Sequence, residues 1–213
     1  MTIAYFLEVH NKEAGIRFEQ KQLAGLKARL PTLPHITGLS IYTPVKENNC
    51  SLLIQVLLEG ELCLTRMLAT SEYDTIRSQL NTLMTADAVL TQQAMLLETF
   101  LSPGKGTQHN SIAHLAIYHG PVQDEKQFTL DYRNHQAPAL LQLPGIKRLE
   151  IGLPVPYQYP PAIARAERIL FCESDFDNLE QLNTALASEI HAGLQKNAVP
   201  VKELVMQREI LVY

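Results

Sequence analysis

The apolar positions of the chain change period repeatedly, and the changes mark its elements. In the second half, SIAHLAIYHG (111–120) is an apolar-rich run that predicts a strand. Asp124 follows as an N-cap with Gln127 as its capping-box partner. Phe128, Asp131, Tyr132 and His135 then recur at the i, i+3, i+4, i+7 spacing of one helix face. LPGIKRLEIGLP (143–154) reads as a turn into a second strand. RILFCES (168–174), beyond a loop with Pro154, Pro156, Pro160 and Pro161, reads as a third. Ser174 with Asp177 opens a second helix whose stripe is Phe176, Leu179, Leu182, Leu186, Ile190 and Leu194, and KELVMQREILVY (202–213) is a fourth strand. The first half predicts strands at 3–9, 36–44, 61–69 and 94–101, with helices at 12–30 and 72–84. Both halves follow the order β-α-β-β-α-β, the ferredoxin-like unit.

Laid against itself, the chain repeats. LPHITGLSIYTPV (33–45) matches LPGIKRLEIGLPV (143–155) at an offset of 110, which also pairs Phe18 with Phe128, Leu30 with Leu140 and Pro34 with Pro144. SEYDTIRSQL (71–80) resembles SDFDNLEQLN (174–183) at an offset of 103. SPGKGTQHN (102–110), with two glycines, a proline and no hydrophobic residue, suits a linker. The division expected is a first ferredoxin-like repeat at 1–101, a linker at 102–110 and a second repeat at 111–213. Each repeat leaves one sheet face bare, so the expected fold is α+β, with the two repeats packed sheet to sheet as an intramolecular barrel. Along 114–118, Leu115 and Ile117 point one way and His114, Ala116 and Tyr118 the other; Tyr5 and Leu7 oppose Ala4, Phe6 and Glu8. Glu8, His114 and Tyr118 are then expected to face an inter-sheet cavity, the default place for a ligand.

Composition narrows the function classes. The 213 residues are 46% hydrophobic and 19% charged, with a formal charge of −4 and a pI near 6.0. That is a folded protein without the basic surface nucleic acid requires. The longest apolar run, Leu52 to Leu58, is broken by Gln55, too short for a membrane span of about 20 residues. No basic segment precedes an apolar core at the N-terminus, so a cytoplasmic protein is expected. Cys50, Cys63 and Cys172 form no CxxC pair and the histidines no HExxH pair, so no metal site is expected. GKG (104–106) lacks the strand–loop–helix setting of a phosphate loop. Glu167 and Arg168, at the start of a strand, read as solvated. His35 reads as a turn residue, and Tyr157 and Tyr159 as loop packing or a lid.

The stretch AIYHGPVQDEKQFTLDYRNHQAPALLQLPGIKRLEIG resembles the dimeric α/β-barrel proteins, most closely their EthD-like group, through Phe128, Tyr132, Pro138 and Leu143-Pro144-Gly145. That family usually builds its barrel from two identical chains, so this chain resembles a fused pseudo-dimer, itself compatible with a homodimer. The family's histidine stands two residues before the proline, where this chain has Gln136, with His135 one residue earlier. The resemblance implies binding or transformation of a small hydrophobic or aromatic molecule, without a cofactor, by chemistry of monooxygenase, cyclase or dehydratase type. A non-catalytic ligand-binding or stress-related module and a haem-binding barrel are the alternatives. His135 is the expected general base, and His114, Tyr118, Tyr132 and Gln136 the expected substrate contacts. At the offset of 110 these residues meet apolar partners: Gly25 for His135, Leu26 for Gln136 and Ala4 for His114. The chemistry is therefore expected in the second half alone.

Overall fold

The computed structural model describes residues 1–13, 18–101, 110–158, 160, 162–195 and 201–211. The expected linker and its GKG, apart from Asn110, and Tyr159 lie outside these residues. The first half contains β1 (Thr2–His10), α1 (Gln20–Arg29), β2 (Ile36–Pro44), β3 (Cys50–Glu59), α2 (Glu61–Leu68), α3 (Ser71–Leu83) and β4 (Val89–Leu101). The second contains β5 (Asn110–His119), α4 (Glu125–Asp131), a π-turn (Tyr132–Gln136), α5 (Ala137–Leu140) and β6 (Arg148–Pro154). It continues with β7 (Ala164–Arg165), β8 (Arg168–Phe176), α6 (Leu179–Leu186), α7 (Glu189–Gln195) and β9 (Val201–Ile210).

Eight strands close into an antiparallel barrel in the order β1-β3-β2-β9-β5-β8-β6-β4, with β4 returning to β1. Each half supplies a four-stranded ferredoxin-like sheet, β4-β1-β3-β2 or β9-β5-β8-β6. The sheets join along β2–β9 and β6–β4. The two short residues of β7 add to β4 in parallel. Three hydrophobic clusters result. One lies under α1, α2 and α3 on the outer face of the first sheet, and another under α4–α7 on the second. The third fills the lumen with Ala4, Phe6, Met95, Leu115, Phe171 and Leu204 among others. Filling by side chains is what eight strands allow. Among the described residues no helix is long and apolar enough to cross a membrane.

Several elements differ from the sequence reading, each for a physical reason. The third strand of the first half is 50–59, and the expected strand 61–69 is helix α2. SLLIQVLLE is apolar on both faces because both are buried, and such a strand loses its period-two signature. Gly60 at φ 84 then turns the chain into α2, whose Leu64 and Met67 are buried at helical spacing. The first helix begins at Gln20, not residue 12. Asp124 caps α4 as expected, accepting from the Gln127 amide. Ser174 and Phe176 belong to β8, and Asn178 caps α6 instead, accepting from the Gln181 amide. Arg168 is buried, not solvated. The turns after Leu33-Pro34 and Leu143-Pro144 do correspond: His35 at φ 64 and Gly145 at φ 81 are both left-handed.

The lumen carries charge as well as hydrocarbon. At one end of the lumen, Arg148 donates from Nε to Asp175 at 2.8 Å, from Nη1 to Glu150 at 2.7 Å and from Nη2 to Glu173 at 2.6 Å. Arg208 donates to Asp175 at 2.8 Å and to the Ser40 hydroxyl at 3.2 Å. All of these groups are buried. Three carboxylates therefore share two guanidiniums. Burial first, then the neighbouring Asp175 charge, holds the Glu173 carboxyl well above the usual carboxylate range. Hydrogen-bond counting agrees. The Tyr42 hydroxyl lies 3.0 Å from Gln55 Oε1 and 2.8 Å from Glu173 Oε2, yet has one proton for two acceptors. A protonated Glu173 supplies the second.

Two outcomes follow for stability. Arg148→Met leaves Glu150 without a guanidinium and Asp175 with Arg208 alone, and is expected to lower unfolding free energy by about 3–5 kcal/mol, read as a lower urea midpoint. Glu173 binds its proton more tightly in the folded than in the unfolded state, so its contribution is present at acid pH and is lost as pH rises above about 4.3. Urea midpoints of Glu173→Gln across about pH 5 to 8 should therefore fall less steeply than those of the parent chain.

Candidate functional site

The cavity of interest lies outside the barrel, between the outer face of the second sheet and α4–α7. It is not the inter-sheet space, which side chains fill. About 50 Å³ is open to water, and its lining includes His114, Tyr118, Tyr132, Gln136, Cys172, Ser174, His191 and Glu203. The sheet supplies its floor by register. His114 stands opposite Ser174 on β8, and Ala116 stands between Cys172 on β8 and Glu203 on β9; residues directly opposite share a face. Leu115 and Ile117, of the other parity, fill the lumen with Phe6 and Ala4 of β1. Glu8 thus faces inward as expected, whereas His114 and Tyr118 do not share its face. The offset of 110 slips by one between β1 and β5, and a slip of one exchanges the faces of a strand. It does not slip between β2 and β6, where Leu39 and Ile41, like Leu149 and Ile151, all pack beneath helices.

The roof depends on one proline. Pro138 has no amide hydrogen and its ring crowds the carbonyl four residues earlier, so the α-helical ladder cannot run through it. The chain widens over Tyr132–Gln136 into a π-turn, closed by the Ala137 amide donating to the Tyr132 carbonyl. Tyr132 and Gln136 face the cavity; His135 is exposed and is not among the lining residues. Tyr132, buried, packs edge-on to Tyr118 with ring centroids 5.3 Å apart, and Phe128 stands 5.4 Å from Tyr118.

The lining combines buried proton donors with the imidazoles of His114 and His191 and the carboxylate of Glu203. Burial pushes the Tyr118 phenol up to about 12, the Cys172 thiol up to about 12, and the Tyr132 phenol well above its ordinary value. All three stay protonated at neutral pH and can donate to a ligand but not accept its proton. His114, with 11% of its side chain exposed, places Nε2 3.8 Å from Glu203 Oε2. Four of the five residues expected at the site, His114, Tyr118, Tyr132 and Gln136, are thus brought together. Cys172, Ser174, His191 and Glu203 join them without having been expected. Alternation along 168–176 carries a signal for Cys172 and Ser174; nothing local marks His191 or Glu203.

No family model and no curated protein matches the chain. Solved structures do match in shape. An anthrone oxidase-like protein superposes with a TM-score of 0.66 at 10% identity, over 99% of this chain and 94% of that one. A candidate monooxygenase from Fusobacterium nucleatum gives 0.61 at 8% identity, over 99% and 93%. A chlorite dismutase from Candidatus Nitrospira defluvii gives 0.54 at 8% identity, over 98% and 91%. Likeness at such identity establishes shape alone, and with the strand order above it establishes the fold: this chain is a dimeric α/β barrel closed within one polypeptide.

Proposed function

We propose that the chain binds a small hydrophobic aromatic molecule in the cavity above the second sheet and oxidises it without a cofactor, in the manner of an EthD-like or monooxygenase-like barrel. The observation that carries this reading is the convergence of one base, His114 beside Glu203, with buried proton donors and an aromatic wall in a single apolar cavity. His114 takes a proton from the bound ring system while Glu203 stabilises the imidazolium that forms. The Tyr132 and Tyr118 hydroxyls and the Gln136 amide hold the electron-rich carbanion; dioxygen adds to that carbon, the O–O bond and the remaining C–H bond then break to leave a carbonyl, and the departing hydroxide takes the proton back from His114 and leaves as water. Three of the matched structures are named as an oxidase-like protein or candidate monooxygenases, which supports the class of chemistry. The open space is about one third of a benzene-sized cavity of about 150 Å³, so a ring enters by displacing the α6 and α7 side chains Leu186, His191 and Leu194. A porphyrin is far larger than this open space, and no step is assigned to haem. The halves 1–101 and 111–213 are read as copies of one unit. Their common strand order and the paired left-handed turns support this, with the first half serving as scaffold.

The chain has no tryptophan, so 1-naphthol can be followed by its own fluorescence. Saturable binding is expected, weakened at least tenfold by Ala116→Leu, which fills the cavity floor, and unchanged by His135→Ala. With anthrone as substrate, His114→Gln should slow oxygen uptake by about 10²–10⁴-fold. Equal naphthol binding by Ala116→Leu removes the cavity as the site. Binding without oxygen uptake leaves a ligand-binding module in place of an oxidase.

A further inference from the structure

The lumen end remote from the arginine network holds a different kind of cluster. Glu8 and His10 are two residues apart on β1, and Cys50 on β3 is the register partner of His10, next to a bulge at Val9/His10. Their carboxylate, imidazole and thiol atoms all lie within 4.8 Å of one another. Glu8 and Cys50 are buried, while His10 keeps 24% of its side chain exposed, which leaves solvent access to the cluster. His10 Nε2 lies 2.8 Å from Glu8 Oε2. No spacing along the chain reveals the set, since 40 residues separate Cys50 from His10. Pairing of adjacent strands assembles it.

We propose that Glu8, His10 and Cys50 bind one monovalent thiophilic cation, Cu(I). A thiolate and an imidazole are the donors that soft closed-shell ions prefer, at bond lengths of about 2.0–2.3 Å. Ligand atoms already within 4.8 Å close on such an ion with small side-chain movements. Charge selects between ions. The Arg168 guanidinium pairs with Glu8, and the half-buried Lys202 ammonium acts on both His10 and Cys50. Two cations therefore face one carboxylate before any metal arrives. A divalent ion that displaces the thiol proton adds one more positive charge to this buried region. Cu(I) displacing the same proton adds none, so burial penalises it least.

The test is anaerobic titration of the full chain with Cu(I) against bicinchoninate as competitor, with Zn²⁺ titrated in parallel. One Cu(I) per chain is expected, held at least tenfold more weakly by Cys50→Ser and by His10→Gln, and unchanged in Cys63→Ser, which removes the half-buried thiol on α2. X-ray absorption on the loaded parent chain should find one sulfur neighbour. The proposal is overturned if Cys50→Ser retains full affinity, if Cys63→Ser loses it, if two sulfurs surround the copper, or if Zn²⁺ binds as tightly as Cu(I). Should Cys50→Ser misfold, His10→Gln at a partly exposed position and the absorption measurement decide the question.

Discussion

The contact on which the structure depends is the set of hydrogen bonds Arg148 makes inside the barrel. One guanidinium satisfies carboxylates on its own strand and on β8, and those carboxylates reach residues of the other half: Glu173 meets Tyr42, while Glu150 meets Thr99 and Gln55. Arg208 completes the crossing at Ser40. A purely apolar lumen would hold the two sheets by area alone, which tolerates sliding. Directional bonds between charged groups do not slide, and their removal leaves desolvated charge behind. They favour one register of one sheet against the other.

That filled lumen also determines where ligand space can exist. With the Phe6 and Phe171 rings packed at a tilt, centroids 4.8 Å apart, and charges packed at both ends, the room between the sheets is taken. A cavity then arises only where helices sit imperfectly on a sheet's outer face. The first half closes that gap: the Tyr5 hydroxyl bonds Tyr73 at 2.7 Å and Gln92 at 2.6 Å, and Leu26 and Ile76 complete the packing. The second half leaves it open, because the π-turn lifts the helical segment over Tyr132 and because α6 and α7 are separated by a break after Leu186. The asymmetry of the two halves is thus one of packing before it is one of chemistry.

Much of this was legible in the sequence, and the failures have causes that can be named. The strand–helix order of the second half, the Asp124 cap and the paired turns after Leu-Pro follow from local chemistry, and local chemistry is what a sequence displays. The third strand of the first half was hidden because burial on both faces erases its alternation. Arg168 read as solvated because charge predicts exposure, yet its Glu8 partner lies 160 residues away and only the barrel joins them. His114 and Tyr118 were assigned to the right strand and the wrong side of it. Alternation tells which residues share a face; it does not tell which face the helices cover.

The two seams, β2–β9 and β6–β4, have a consequence for how the molecule holds together in dilute solution. When two chains build such a barrel, each seam is an encounter between molecules, and the barrel dissociates on dilution. Here the second sheet is tethered to the first, so seam formation is unimolecular at an effective concentration of about millimolar or above, set by the connection and not by the amount of protein present. The buried arginine network can therefore exist at any abundance of the chain, and neither half has to keep an edge strand that would tolerate exposure to water on its own.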